Sequence, residues 1–443
     1  MGEFSSIPED LVLNILSRLS IKDILRFRPV CKEWNLLLRT HRFISLHSNQ
    51  SSQKRIENEG GSSLSSSFIL LRSVYDETDD SSEEDEIRRL EAYYAMYNAQ
   101  GDLSLSFGRS SSKSVLLTFF TLEKTISDEF DCLTVTEKEG VTIESIFSSD
   151  EELTLPSDNE SIQICSPFDG LLCLAYGSQI NLYNPATREV LRLPSPPPKS
   201  KFEVKSRVLC VWFESESNMK HYKVFRMVCW KVSFMIEVYD SIENRWRVIM
   251  NIVGRAYPWI SVLFNGVVHF YMDKDDSVSQ GMLVTIDAKS EKIGRFELPF
   301  VRVQFDESAL LPFRGKLAFL QPNLDEGDDK VFVNIWVMTE YGVEESWTHE
   351  YTLLVDYIEP DEETTSYTYG TFLFYPLAFW KCMDDDDDDE GIELLVRTCD
   401  GRIVSCNLVT EDIYDLDVPC VPSCTAIIVP NNVEVLLSLS NHL

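Results

Sequence analysis

One short pattern recurs four times in this 443-residue chain. It is found as YNPATREVLRL at residues 183–193, YDSIENRWRVI at 239–249, IDAKSEKI at 286–293 and CNLVTEDI at 406–413. In each copy an apolar residue and an Asn or Asp end a strand, a polar turn follows, and an apolar residue opens the next strand. The first three Asn or Asp positions, 184, 240 and 287, are 56 and 47 residues apart. A period near 50 residues leaves room for about four short strands in each unit.

Strand-like segments fill most of the chain between these copies. They are short apolar or alternating runs at residues 103–107, 115–121, 162–165, 171–175, 180–183, 224–228, 235–239, 262–264, 267–271, 283–286, 317–320, 331–337, 394–398 and 403–407. Hairpin turn signals separate neighbouring strands at Asp169-Gly170, Asn265-Gly266, Arg314-Gly315 and Asp400-Gly401. The repeat therefore predicts a nearly all-β domain over residues 68–440, a kelch-like β-propeller of six to eight blades. A pair of β-sandwiches is the alternative.

The first 47 residues have a helical periodicity instead. Pro8 suits the first turn of a helix, and apolar residues then recur at 3-4 spacing from Leu11 to Leu19. Two further short helices are indicated around Leu25 and Trp34. A module of about 40 residues rarely sustains a core alone. Its apolar surface therefore predicts a partner.

Charge separates this module from the rest of the chain. The protein has 72 acidic and 40 basic residues and a net charge of −32. Residues 1–50 carry +2, which leaves −34 for the remainder. Phosphate-rich partners are repelled by such a surface, so nucleic-acid binding is disfavoured. A target that contacts the acidic surface is expected to be basic.

Residue types that carry chemistry form no recognisable motif. The eleven cysteines contain no CxxC pair and the six histidines no HExxH. Dinucleotide-binding, phosphate-binding and nucleophile-elbow motifs are also absent from the sequence. We therefore expect no metal, no cofactor and no catalytic residue. Arg188, Trp246 and Trp347 could contact a ligand, but recurring aromatic and turn residues of a propeller more often pack between blades.

The remaining segments indicate location and connections. The sequence has no run of 18 apolar residues, which argues against a membrane-spanning helix, and no secretory leader at its start. We expect an intracellular protein, in the cytoplasm or the nucleus. The Ser- and Gly-rich composition of residues 48–67 predicts a linker. Acidic runs at 76–91 and 384–390 predict solvated loops, with contact to a basic partner as the alternative.

The first 47 residues resemble the F-box of plant F-box proteins. The resemblance runs through IPEDLVLNILSRL at 7–19, LRFRPVCKEW at 25–34 and FISLH at 43–47. In that family the F-box is a helical module that docks on the Skp adaptor of Skp-cullin-F-box ubiquitin ligases. The resemblance implies an adaptor interface made by Ile7, Pro8, Leu11, Ile15, Leu16, Leu19, Leu25, Val30 and Trp34. Each of these residues could instead pack the three helices together, and the residues alone leave both roles open.

The β domain resembles the F-box-associated, kelch-like domain of the same family. The matching segments are DGLLCL at 169–174, YNPATR at 183–188, NGVVH at 265–269, and IWVM at 335–338 through ESW at 345–347. The resemblance implies the non-catalytic substrate-recognition subunit of a Skp-cullin-F-box E3 ligase, which recruits a target for ubiquitination and proteasomal degradation through a cullin-RING assembly. An F-box protein that acts as a binding module outside a ligase and a propeller enzyme are the alternatives.

The target itself is not named by the sequence. Among the resembling proteins, S-locus F-box proteins recognise basic ribonucleases. The acidic balance of residues 51–443 is compatible with a basic target of that kind.

Overall fold

The protein is described by a computed structural model. It covers residues 8–19, 21–38, 40, 42–43, 46–47, 63–74, 105–106, 114–125, 132–142, 161–168, 171–176, 179–184, 187–197, 205–214, 221–230, 233–254, 256–273, 281–298, 308–325, 330–355, 374–381, 392–398, 403–416 and 425–429. The predicted acidic runs at 76–91 and 384–390 lie outside the described residues, as do residues 48–62 of the predicted linker.

The described part of the N-terminal module contains three short helices with defined bounds. They are α1 (Glu9–Leu16), α2 (Ile21–Phe27) and α3 (Lys32–Leu37). Pro8 precedes α1 with a φ of −56°, and its carbonyl accepts the backbone N–H groups of Leu11 and Val12. The Cys31 Sγ accepts the backbone N–H of Trp34 and so caps α3. These contacts satisfy backbone groups that a helix start otherwise leaves without a partner.

The rest of the described chain consists almost entirely of β-strands. They are β1 (Ser63–Val74), β2 (Leu105–Ser106), β3 (Ser114–Thr125), β4 (Cys132–Thr142), β5 (Ser161–Phe168), β6 (Leu171–Tyr176), β7 (Gln179–Asn184), β8 (Glu189–Arg192), β9 (Lys205–Phe213), β10 (Tyr222–Cys229), β11 (Ser233–Asp240), β12 (Arg245–Val253), β13 (Ala256–Phe264), β14 (Val267–Asp273), β15 (Gly281–Asp287), β16 (Ile293–Glu297), β17 (Ala309–Phe313), β18 (Lys316–Asp325), β19 (Lys330–Met338), β20 (Trp347–Val355), β21 (Phe374–Lys381), β22 (Glu393–Thr398), β23 (Ile403–Asn407), β24 (Ile413–Asp415) and β25 (Thr425–Val429).

The described strands form six antiparallel sheets. Five have four strands, in the orders β25-β1-β3-β4, β9-β10-β11-β12, β13-β14-β15-β16, β17-β18-β19-β20 and β21-β22-β23-β24; the sixth has five, in the order β2-β5-β6-β7-β8. We call the strand through which a sheet contacts its neighbours its inner strand, and name the sheets by these strands: β25, β5, β9, β13, β17 or β21. Each inner strand contacts the inner strand of the next sheet, and β25 contacts both β21 and β5. In the five-stranded sheet the two-residue β2 pairs with β5 at the sheet edge. This ring of sheets is a β-propeller, which confirms the predicted fold class and rules out the pair of β-sandwiches.

The last strand of the chain closes the propeller onto the first. β25 pairs with β1 in an antiparallel register that runs from Ser67 opposite Val429 to Leu71 opposite Thr425. β1 begins at Ser63, so the last five residues of the predicted linker belong to a strand of this sheet. The C-terminal residues therefore complete a sheet whose other strands come from the first third of the chain.

The repeated Asn or Asp forms the turn between the last two strands of four of the described sheets. Its side-chain oxygen accepts a backbone N–H two or three residues later, as seen from Thr187 to Asn184 (3.3 Å), Ile242 to Asp240 (2.9 Å), Ser290 to Asp287 (2.6 Å) and Val409 to Asn407 (2.8 Å). The residue four positions after it has a positive φ in every case: Arg188 (56°), Asn244 (50°), Glu291 (60°) and Glu411 (63°). The repeat in the sequence is thus one turn built four times.

Two predicted hairpin turns have the backbone that their residues favour. Asn265 and Gly266 have φ values of 50° and 74°, and Arg314 and Gly315 have values of 46° and 67°. Two consecutive positive φ angles define the type I′ turn, which matches the twist of the flanking strands. The other two predicted turns, 169–170 and 400–401, lie outside the described residues.

Apolar clusters lie between neighbouring sheets. One joins the β5 and β9 sheets, a second the β9 and β13 sheets, a third the β13 and β17 sheets, and a fourth the β17 and β21 sheets. Middle strands such as β10 and β15 are buried along nearly their whole length. From the β5 sheet to the β21 sheet, each sheet therefore covers an apolar face of the next, as a propeller requires.

Each predicted strand segment overlaps a strand of the structure, with only residues 105–106 of the 103–107 segment described. The segments omit β1 and most strands at the sheet edges: β9, β17, β21 and β25 on the inner side, and β4, β8, β12, β16, β20 and β24 on the outer side. For β8, β12, β16 and β24, the repeated turn indicates where the strand opens. Among the outer strands, β12 consists of exposed and partly buried residues apart from the buried Met250, β16 alternates between exposed and partly buried residues, and all three residues of β24 are exposed. Outer strands have one free edge and little burial, so their composition is more polar and their periodicity weaker.

We expect Asn407→Ala to lower the free energy of unfolding by about 1–2 kcal/mol. The buried Asn407 side chain accepts the backbone N–H groups of Val409 and Thr410 at 2.8 and 3.0 Å, and alanine leaves both donors without this acceptor. Urea unfolding measures the change. Asn407→Asp keeps the acceptor and should stay near the parent protein. Equal stability of Asn407→Ala and the parent protein would contradict this role of the turn.

Candidate functional site

The helical module exposes part of the apolar surface that the sequence predicts as an interface. Leu11, Ile15 and Val30 are 55%, 60% and 63% exposed, and Pro8 is also exposed. Burying one large aliphatic side chain fully stabilises a complex by roughly 1.5–3 kcal/mol. More than half of each of the three aliphatic residues is still exposed. A partner that covers them would therefore gain most of this burial free energy.

The other predicted residues have mixed positions. Leu16 is only 5% exposed and belongs to the core of the module, together with Leu13, Ile24, Leu38 and Phe43. Leu19, Leu25 and Trp34 are partly buried and pack against that core, with the Trp34 ring 5.4 Å from the ring of Phe27. Ile7 lies outside the described residues. Only part of the predicted set is thus available on the surface.

Leu36 is an exposed apolar residue that the sequence analysis did not single out. It is 70% exposed on α3, the highest value among the large apolar residues described in this module. The signal was present in the sequence, because Trp34, Leu37 and Leu38 form the inward set of that helix at 3-4 spacing. Leu36 falls outside this set and must face away from the core.

One helix supplies both the core and the exposed face. Leu13 and Leu16 on α1 are buried, whereas Leu11 and Ile15 are one turn apart on the same side and exposed. The turn that follows α1 contacts His47, whose Nε2 lies 3.0 Å from the Leu19 carbonyl oxygen. Asp10 and Arg42 form an exposed ion pair of 2.6 Å between the start and the end of the module. The exposed face is therefore presented on a fixed helix.

A network of charges lies between the β9 and β13 sheets. The Lys223 Nζ is almost fully buried and donates to the Glu291 Oε1 at 2.7 Å and to the carbonyl oxygens of Ala288 and Lys289 at 3.1 and 2.9 Å. Arg247 donates to both carboxylate oxygens of Glu291. Burial raises the pKa of Glu291, but the hydrogen bonds from Arg247 and Lys223 outweigh it and lower the pKa overall. Glu291 is therefore an anionic anchor between two sheets.

A histidine extends this network. The Nδ1 of His221 lies 3.0 Å from the Glu214 Oε2, and its Nε2 lies 3.3 Å from the Asp240 Oδ2. Lys289 pairs with the other oxygen of Glu214 at 3.1 Å. The hydrogen bond from His221 is the main cause that lowers the pKa of Glu214. The Glu214 carboxylate therefore links His221 to Lys289, the Asp240 carboxylate contacts the other ring nitrogen of His221, and these contacts stabilise the fold.

Within the described part of the chain, no group of three His, Cys, Asp or Glu side chains is placed to hold a metal ion. The buried thiols are poor nucleophiles, since their pKa values are raised: for Cys173 by a hydrogen bond with Cys165 and by burial, for Cys210 by burial, and for Cys406 to about 12, chiefly by burial. The described helices include none long and apolar enough to cross a membrane.

The three residues considered as ligand contacts have structural partners. The Trp246 Nε1 donates to the Pro194 carbonyl at 2.7 Å and so joins the β9 sheet to the segment after β8. Trp347 is buried in the cluster between the β13 and β17 sheets. Arg188 occupies the positive-φ position of its turn. These positions favour the packing interpretation.

Glu291→Gln should lower the free energy of unfolding by about 3 kcal/mol, because it leaves the buried Lys223 without its opposing charge. Glu243→Gln is a matched control, since Glu243 is 40% exposed and pairs with Arg245 and Arg247 at the surface. The control should cost less than about 1 kcal/mol. Urea unfolding of both variants measures the difference. An equal loss of unfolding free energy in the two variants would contradict the larger contribution expected from Glu291.

Stability should also depend on pH through His269. This side chain is buried, its Nε2 lies 3.0 Å from the Tyr341 hydroxyl, and burial lowers its pKa from 6.5 to about 4. The unfolded chain therefore takes up a proton before the native protein does, so acid favours unfolding between pH 6.5 and 4, by about 3 kcal/mol in total.

The measurement is urea unfolding at several pH values for the parent protein, His269→Gln and the exposed control His349→Gln. The stability difference between the parent protein and His269→Gln should shrink as pH falls from 6.5 to 4. The difference between the parent protein and His349→Gln should stay constant. A constant difference for His269→Gln would contradict the prediction.

Comparison with known proteins agrees with this architecture. An F-box domain profile matches residues 4–46, and the profile of the F-box associated beta propeller domain matches residues 115–372, more than half of the chain. A solved structure of α-L-arabinanase from Penicillium chrysogenum with arabinobiose aligns with 58% of this chain and 81% of that chain at 10% identity and a TM-score of 0.37. A TM-score at that level supports no conclusion about this protein.

Curated relatives come from Arabidopsis thaliana. One F-box protein is 22% identical over 398 residues, covering 85% of this chain and 73% of the relative, and another is 23% identical over 355 residues, covering 75% and 69%. An F-box/kelch-repeat protein is 22% identical over 362 residues, covering 80% and 74%. The chain therefore belongs to the family of F-box proteins with an F-box-associated β-propeller domain.

Proposed function

We propose that this protein is the substrate-recognition subunit of a Skp-cullin-F-box ubiquitin ligase. Its F-box domain implies a Skp-type partner. The observation that carries the proposal is that Leu11, Ile15 and Val30 are exposed and lie outside the core of the module. An adaptor that covers this face gains apolar burial without unfolding the module.

The predicted interface divides into two roles under this proposal. Pro8, Leu11, Ile15 and Val30 touch the adaptor directly, and Leu36 is added to them as an exposed residue of α3. Leu16 supports α1 from inside the core. Leu19, Leu25 and Trp34 contribute the parts of their side chains that the core leaves uncovered.

The mechanism is one of proximity. The F-box, assigned to residues 1–47, ties the chain to the ligase, and the propeller, assigned to residues 68–440, holds a target near the ubiquitin-charged enzyme. Linking two binding modules in one chain raises the effective concentration of the target at the transfer site. No residue of this chain takes part in ubiquitin transfer, and the complex acts inside the cell. The target is a protein whose identity the family membership leaves unspecified.

Leu11→Asp with Ile15→Asp should weaken adaptor binding by at least about 2 kcal/mol, because charges replace two central apolar contacts. Binding of a purified Skp-type adaptor to the full chain, followed by a cullin blot of the captured complex, is the measurement. Ile242→Asp is the matched control, since Ile242 is 71% exposed in a propeller turn, and it should bind the adaptor normally.

Two outcomes would contradict the proposal. Normal adaptor binding by the double variant, with an unchanged circular dichroism spectrum, would show that Leu11 and Ile15 are not part of the adaptor interface. Adaptor binding without any cullin in the captured complex would show that the protein acts as a binding module outside a ligase.

A further inference from the structure

One segment of the β21 sheet is exposed without interruption. Residues 409–415 are all exposed, whereas Leu408 and Leu416 at its ends are 6% and 4% exposed. The backbone N–H of Leu408 donates to the Ile392 carbonyl at 2.9 Å, and that of Leu416 donates to the Ile403 carbonyl at 3.0 Å. Two buried leucines thus anchor a seven-residue surface segment, which we name the 409–415 surface.

The conformation of this surface is fixed by the turn that it contains. The Asn407 side chain accepts the backbone N–H groups of Val409 and Thr410, and the Asn407 carbonyl accepts that of Glu411 at 3.1 Å. The Thr410 hydroxyl donates to the Asp412 carboxylate at 2.7 Å. This surface is therefore already ordered before a partner binds. Binding loses little conformational entropy in this segment, which favours affinity.

Apolar side chains are prominent on this surface. Val409, Ile413 and Tyr414 are 43%, 46% and 51% exposed. Ile413 and Tyr414 belong to β24, the outer strand of its sheet, which pairs with β23 and with no other described strand. A tyrosine at half exposure offers a large contact area with a polar tip, the type of side chain that dominates binding hot spots.

The charge on this surface has one sign. Glu411, Asp412 and Asp415 are acidic, and residues 408–415 contain no lysine or arginine. The outer strands of three other sheets differ, because β8, β12 and β16 each contain at least one arginine. The chain as a whole carries −32, so the local charge and the long-range field act in the same direction.

We infer that the 409–415 surface is a docking site for a basic segment of the target protein, one in which two adjacent lysine or arginine residues are followed by two adjacent apolar residues, so that both faces of the strand are matched. This inference rests on the proposed function and names the chemistry of the target. Basic side chains of the occupant would pair with Glu411 and Asp412, and its apolar side chains would cover Ile413 and Tyr414. A second copy of this chain is a poor occupant, because it brings the same negative charge to the same place.

The test uses the full chain and a fluorescein-labelled synthetic peptide that repeats two lysines followed by valine and phenylalanine. Fluorescence anisotropy gives its Kd at 0.1 M salt. Glu411→Lys with Asp412→Lys should weaken binding at least about ten-fold, since close pairs turn repulsive. The matched control is Glu340→Lys with Glu345→Lys, an equal change in net charge in the exposed turn before β20. The control should weaken binding less than about three-fold through the general field alone.

A second pair of variants tests the apolar part. Ile413→Ser with Tyr414→Ser should weaken peptide binding at least about five-fold. Ile242→Ser with Val248→Ser is the control, because both residues are large, apolar and at least half exposed on the β9 sheet. That control should bind the peptide as the parent protein does. If the charge-reversed chain does not fold, Glu411→Gln with Asp412→Asn replaces it, with the weakening still expected.

The inference is overturned if the 411/412 and 340/345 variants lose equal affinity, because the field of the whole protein would then explain binding. It is also overturned if the serine variants at 413 and 414 bind the peptide normally. Adaptor capture by the same variants separates this result from the proposed function. If every variant captures the adaptor and binds the peptide with the parent Kd, the docking surface is rejected and the proposed function is not. If the parent protein fails to capture the adaptor, the ligase role is rejected and the docking surface is not.

Discussion

The β9, β13 and β17 sheets each depend on two neighbouring sheets to cover their two apolar faces. The middle strands show this most clearly: β10 alternates between residues that join the cluster shared with the β5 sheet, such as Val224, and residues that join the cluster shared with the β13 sheet, such as Phe225. A sheet of this kind is not stable alone, because half of its apolar surface would face water. The ring of sheets is the consequence, and the β25–β1 pairing completes it by joining residues more than 350 positions apart.

The helical module must also cover its apolar surface, but it does so only in part. Its three helices enclose a core around Leu13, Ile24 and Phe43, yet Leu11 and Ile15 remain outside it. A propeller has enough sheets to cover its apolar faces internally, whereas a module of about 40 residues has too few elements to do so. Part of the apolar surface of the module is therefore left uncovered, and its F-box domain implies a Skp-type partner.

Polar contacts between sheets fix the relative positions of neighbouring sheets, in addition to the apolar packing. Lys223 reaches from one sheet to the turn of the next and meets Glu291 there, and Gln163 binds the backbone of the β9 sheet at Ser206 and Val208. Buried charges contribute little net stability against apolar alternatives, but removing one partner is costly. Such contacts set how adjacent sheets are placed, and thereby how the turns at their ends are presented to a partner.

The sequence by itself determined the division into a helical module and a β domain, most of the middle strands and the repeated turn, because local periodicity and the Asn or Asp side chain act within a few residues. It also contained the exposed apolar residues of the helical module, but it could not sort Leu11 from Leu16, since both lie on one stripe of a short helix. The tertiary structure decided that Leu16 is core and Leu11 is surface, that β12, β16 and β24 are outer strands, and that Lys223 meets Glu291. Each of these outcomes depends on which distant element covers a residue, and burial by distant parts of the chain leaves no local signature.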